Sequence, residues 1–147
     1  MGKLLFFAVI LFLTSACSSV MLQPVDFAWP VESVLTTDAE GKVSIDRYST
    51  MFSTDKLFKT EFTETTNSIH KEVRVIRGIK GYYYLTAPGF KHVYLFYVRE
   101  GALILEDKIL ITEEGLNAPV FNQRKPDIEL LDDGQVYLIN NSGIKGE

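Results

Sequence analysis

Cysteine is almost missing from this chain: 147 residues contain one, Cys17. A lone cysteine closes no intramolecular disulfide, so a folded domain here rests on its core alone. Histidine is nearly as scarce, with only His70 and His92. They lack the i, i+4 spacing that places two imidazoles on one zinc-binding helix face, and no second cysteine completes a ligand set. Metal binding and cofactors are therefore not expected. Basic residues are outnumbered: 15 Lys and Arg stand against 19 Asp and Glu, a formal net charge of −4. An acidic surface does not favour phosphate backbones, so nucleic acid is not an expected partner. No G-x-S-x-G elbow and no phosphate-binding glycine loop of either common pattern occurs. No apolar run reaches the roughly 20 residues that a membrane-spanning helix needs.

The longest apolar run is Leu4–Leu13, which follows Lys3 and ends at polar Thr14 and Ser15. A basic start, about ten apolar residues and small residues before a cut site make a secretory signal. The next residues are Ser15-Ala16-Cys17-Ser18. Gly2 after Met1 raises N-myristoylation, but Phe6 stands where that signal needs Ser or Thr.

These residues resemble the lipobox of bacterial lipoproteins. Members of that family most often have Leu three places before the cysteine; here Thr14 stands there and Leu13 one place earlier. The resemblance implies that residues 1–16 are a signal peptide helix that is removed. It also implies that the thiol of Cys17 carries a diacylglyceryl group, the membrane partner of the mature chain. Ser18 in place of Asp after that cysteine implies sorting to the outer membrane, facing the periplasm.

Removing residues 1–16 leaves 131 residues with a net charge of −5, enough for one domain with its own core. Residues 17–30 read as a short lipid-anchored tether and lead-in. Pro24 and Pro30 bar a regular helix there, and Phe27 and Trp29 are too apolar to stay free of the domain. Residues 31–140 read as a β-rich domain and 141–147 as a polar, fraying tail.

The predicted fold is mainly β: a single-domain antiparallel β-sandwich or open barrel with at most one short helix. Strands are predicted over Val31–Thr36 and Lys42–Phe52. Residues 56–62 are short enough to be helix or strand, with Asp55 as a helix cap. Thr63–Ser68 is a polar loop. From Lys71 onward, β-branched and aromatic residues alternate with polar ones, and Gly-containing turns punctuate them about every ten residues. The meander runs Glu72–Arg77, Tyr82–Thr86, His92–Val98 and Ala102–Thr112. Glu113–Gln123 is read as a loop, and Asp132-Asp133-Gly134 joins the hairpin Asp127–Leu131 and Gln135–Asn140. Val73, Val75, Leu85, Leu95, Leu103, Leu105, Ile109 and Ile111 are expected to be buried. Residues 82–101, with Tyr84-Leu85-Thr86, His92–Phe96 and Glu100-Gly101, are similar to one blade of an NHL-type β-propeller. A propeller needs at least four blades of about 40 residues, more chain than is present.

The aromatic residues Tyr82, Tyr83, Tyr84, Tyr94 and Tyr97 are the candidate binding residues. On strands, Tyr82 and Tyr84 share one face and Tyr83 takes the other. Tyrosine combines a broad apolar face with a polar tip, which suits a glycan or protein partner. The adjacent carboxylates Glu113-Glu114 and Asp132-Asp133 read as turn chemistry. No catalytic residue is nominated. The expected function is a membrane-anchored envelope lipoprotein acting as a non-enzymatic binding module or accessory subunit of an envelope assembly. The alternative is an envelope hydrolase whose site is assembled from distant residues such as His92, Asp127 and Glu129.

Overall fold

A computed structural model describes residues 28–45, 50–62 and 71–146. The signal peptide expected over residues 1–16, Cys17, Phe27, the loop expected over 63–68 and His70 lie outside these residues. The fold is mainly β and antiparallel, with one short helix and no closed barrel among the described residues. The strands are β1 (Ser33–Thr36), β2 (Lys42–Ile45), β3 (Thr50–Ser53), β4 (Glu72–Arg77), β5 (Tyr83–Thr86) and β6 (His92–Arg99). They continue with β7 (Ala102–Leu110), β8 (Val120–Arg124), β9 (Asp127–Asp132), β10 (Gln135–Asn140) and β11 (Gly143–Ile144), and the helix is α1 (Asp55–Glu61). A five-stranded sheet has the order β1-β4-β5-β6-β7, a four-stranded sheet the order β11-β10-β9-β8, and β2 and β3 form a separate pair.

The central sheet is covered on both faces. Ile76, Tyr84 and Leu95 are cross-strand partners on one face, and Val75, Leu85 and Tyr94 on the other; all six are buried. Such a strand reads as a continuous apolar run, and Val93-Tyr94-Leu95 is one. The four-stranded sheet covers the Tyr84 face. Gly78 has the Tyr84 ring and Ile128 of β9 as its neighbours, and Phe121 N of β8 donates to Glu32 Oε2 at 2.9 Å. The Tyr94 face is covered by α1 with the β2–β3 pair. Phe58 of α1 meets Phe90 at a centroid distance of 4.9 Å, and Phe90 meets Tyr94 at 5.8 Å. Val43, Ile45, Leu57 and Phe58 join the same core.

Several sequence expectations are corrected. Lys42–Phe52 is not one strand: Val43 pairs with Phe52 across the antiparallel β2–β3 ladder. The helix starts at Asp55 with Thr54 as its cap residue, but no side chain caps it; Thr54 Oγ1 donates to Gly41 O at 3.0 Å and ties the helix to the hairpin. The stretch read as a loop over Glu113–Gln123 ends in β8, where Phe121 is buried against β9. The tail is not frayed throughout: β11 pairs with β10, and Lys145 N donates to Leu138 O at 2.7 Å.

The burial list holds for Val73, Val75, Leu85, Leu95 and Ile109. Leu103 and Ile111 are half-buried, and Leu105 is 50% exposed. Two causes combine. β7 is an edge strand, and its register shifts at one point: Leu95 faces Asp107 while Phe96 faces Leu105. Glu106 is the extra residue of this β-bulge, which reverses the alternation of side chains along the strand. Ile109 therefore follows the Leu95 face, whereas Leu103 and Leu105 follow the face of Phe96 and Val98, where the covering layers have ended.

Candidate binding groove

In an antiparallel meander, alternate turns lie at the same end of the sheet. The β4–β5 turn (residues 78–82) and the β6–β7 turn at Glu100-Gly101 therefore share one end. The second is a two-residue hairpin loop with both φ angles positive, +53° and +78°; this suits the right-handed twist of the flanking strands and favours Gly at its second position. Between these turns lies a groove of about 550 Å³, lined by Arg77, Lys80, Tyr82, Tyr97, Val98 and Glu106 with Gly81.

The backbone of Arg77 is fixed from two sides. Its carbonyl accepts hydrogen bonds from Trp29 N at 2.9 Å and Gln123 Nε2 at 2.7 Å. Its guanidinium lies over the Tyr83 ring, 5.6 Å from the centroid, a cation–π contact. Trp29 meets the same ring edge-on at 5.5 Å. Trp29 is thus docked on the body, as expected for an aromatic residue in the lead-in. Lys80 Nζ donates to Asn141 Oδ1 at 2.9 Å at the groove margin.

The five candidate tyrosines separate into three environments. Tyr82 and Tyr97 are half-buried and line the groove. Tyr83 is half-buried between Trp29 and Arg77. Tyr84 and Tyr94 are core residues. Burial, with the nearby charge of Asp127 adding to it, pushes the Tyr84 hydroxyl up to about 12. Burial also raises Tyr94 well above the ordinary tyrosine value, reinforced by its hydrogen bond to Glu61.

That hydrogen bond belongs to a second constellation. Glu61 is the last residue of α1, and its side chain is 1% exposed. It accepts from Tyr94 Oη at 2.6 Å and from Lys91 N at 2.8 Å, and it lies 2.8 Å from His92 Nδ1. Both the Nδ1-protonated neutral ring and the imidazolium can donate to this carboxylate. The contact therefore ties the helix to β6 in either charge state. The neighbouring hydroxyl of Thr86 donates to His92 O.

The residues of the hydrolase alternative have separate partners. Asp127 binds Lys145 Nζ at 2.7 Å and Asn140 Nδ2 at 3.3 Å, and the Lys145 hydrogen bond holds its carboxyl below the ordinary range. Glu129 faces Arg124 at 3.4 Å and Asn122 at 3.3 Å. The carboxylate beside His92 is Glu61, which sequence reasoning did not single out. Its signal was present: Glu61 falls on the helix face of Leu57 and Phe58, an acid where an apolar residue fits the pattern.

A smaller cavity of about 360 Å³ is lined by Glu114, Asn117, Asp132, Asp133, Gln135 and Tyr137 among others. Its acids are engaged locally: Asp132 accepts from Asn117 N and Ala118 N, and Asp133 from Asn117 Nδ2. Among the described residues no group of three or more acidic, His or Cys side chains is arranged to hold a metal ion, and no helix is long and apolar enough to cross a membrane.

Compared with known proteins, the chain matches no family model, no curated protein and no solved structure.

Proposed function

We propose that this chain is a lipid-anchored protein of the bacterial cell envelope whose mature domain is a non-enzymatic binding module or accessory subunit of an envelope assembly. The observation that carries this reading is the position of the only cysteine, directly after Thr14-Ser15-Ala16 and the apolar run Leu4–Leu13. An exported lone cysteine has no disulfide partner, and attachment of lipid gives it a role. Two or more acyl chains hold a protein stably on a bilayer, each buried CH₂ contributing about 0.8 kcal/mol. Ser18 favours the outer membrane and its periplasmic face. The groove between Tyr82 and Tyr97, with Arg77 and Lys80 at its wall, supports binding as the task of the domain.

The test is Cys17→Ser, followed by fractionation. The expected result is loss from the membrane fraction or retention as an uncleaved precursor. Mass spectrometry of the wild-type mature chain should show an acylated Cys17 at its amino end; an unmodified Cys17 on a mature chain overturns the reading.

A further inference from the structure

We infer that the groove end of the domain rests on the bilayer, with lipid headgroup phosphates between Arg77 and Lys80 and the tip of the β6–β7 hairpin reaching the acyl boundary. This rests on the lipid-anchor reading above, and it names the partner of that same groove.

Three observations converge on this end. The chain enters the described body there, at Trp29, whose N–H is bonded to Arg77 O. Twelve residue steps separate Trp29 from Cys17. A fully extended chain covers at most about 3.3–3.6 Å per residue, so the acylated residue lies within roughly 40 Å of the groove wall.

The second observation is the apolar surface. On the outer half of the β6–β7 hairpin Val98 and Leu105 are 52% and 50% exposed on one face and Ile104 is 38% exposed on the other. Tyr97 pairs with Ile104 across that hairpin, and Tyr82 lies beside Tyr97 in the groove. Tyrosine with one apolar and one wet end is enriched at the headgroup level of membranes.

The third is charge. The mature chain is acidic overall, yet this end presents Arg77, Lys80 and Arg99 with Glu100 and Glu106. The β5–β6 turn lies at the opposite end of the meander. Gly115 packs there against Gly89, beside the cavity lined by Glu114, Asp132 and Asp133. An anionic surface attracts basic residues within about a Debye length and repels acidic ones, so the charge distribution orients the tethered domain with the groove toward the bilayer.

The experiment uses the lipidated, full mature chain in vesicles of phosphatidylethanolamine and phosphatidylglycerol. Acylation leaves Cys17 without a free thiol, so a cysteine introduced by Val98→Cys or Val136→Cys takes a fluorophore alone. Val136 is 56% exposed next to the acidic end. Nitroxide-bearing lipids should quench the label at position 98 severalfold more than the label at position 136. Lys80→Glu should reduce quenching at 98 in these vesicles, and by less in phosphatidylcholine vesicles, whose headgroup keeps the phosphate but carries no net charge. Equal quenching at the two positions, or none at 98, overturns the inference. So does a shielding of the 98 label in detergent that grows with protein concentration, which marks a second copy as the occupant. Mass spectrometry on the same sample separates the two readings: an unmodified Cys17 defeats the anchor, whereas an acylated Cys17 without quenching at 98 defeats the orientation alone.

Discussion

The two halves of β6 differ in almost everything but secondary structure. Val93, Tyr94 and Leu95 are buried on consecutive positions because the strand is covered from both faces. Phe96 and Tyr97 are half-buried, and Val98 and Arg99 are exposed. Pairing with β7 continues through both halves, with a one-residue register shift at their boundary. Backbone hydrogen bonding therefore extends the sheet beyond the point where packing supports it, and the apolar side chains of the outer half face solvent. Hydrophobicity alone does not distinguish Leu95 from Leu105; the layers above and below do.

Substitutions can break that contrast, and the largest effect belongs to the covered half. Leu95 is fully buried, so Leu95→Ala removes transfer energy and leaves a cavity, a cost of about 2–5 kcal/mol. Urea unfolding at constant m-value measures it, and an unchanged midpoint would contradict the core assignment.

The tyrosines give the next effect through pH. Tyr84 and Tyr94 are held neutral in the fold, Tyr84 up to about 12 against 10.0 for the free side chain. Their contribution is fully present below the unfolded value near 10 and is lost as pH rises through the folded value, because the unfolded chain then ionises first. Stability should therefore fall as pH rises from 10 toward 12, and Tyr84→Phe should flatten that slope. Thermal midpoints across this range check it; a flat profile for the wild-type chain would show that Tyr84 ionises freely in the fold.

The smallest effect sharpens the comparison from the other side. Leu105→Ala, on the uncovered half, should change stability by no more than about 0.5 kcal/mol, as for other exposed positions. A loss comparable to that of Leu95→Ala would mean that the outer half is covered in solution.

The sequence made β4, β5, β6 and the β9–β10 hairpin legible because alternation and turn residues agree there: Asp133-Gly134 has both φ angles positive, as the turn needs. Leu103 and Leu105 were misread because alternation reports a face and says nothing about what lies over it. Glu106 compounds this, since a bulge leaves no mark in composition yet flips every following side chain. β11 was missed because it has two residues, and β8 because its only apolar residues, Val120 and Phe121, stand side by side and show no alternation; both are held by pairing with β10 and β9. Of the candidate site, Tyr82 and Tyr97 were visible as aromatics. Their convergence with Arg77 and Lys80 depends on two turns meeting at one end of the sheet, and residue spacing does not encode that. Glu61 was passed over for a related reason: one acid on a short apolar helix face reads as noise until its three donors are in place.

The bulge at Glu106 also bears on how copies of this protein behave toward one another. β7 is the open margin of the central sheet, nine residues long and carrying Ile104, Leu105 and Leu110 in solvent. A straight margin of that composition invites another strand to add on, which is the first step of ordered aggregation. Glu106 interrupts the straight run at its middle, and Asp107 and Lys108 set charges beside the interruption, with the Asp107 carboxylate accepting the Lys108 N–H at 2.7 Å. An added strand would meet a bent backbone and adjacent charges there in place of a straight apolar run, and bulges and charges of this kind are how sheet margins are kept from pairing edge to edge.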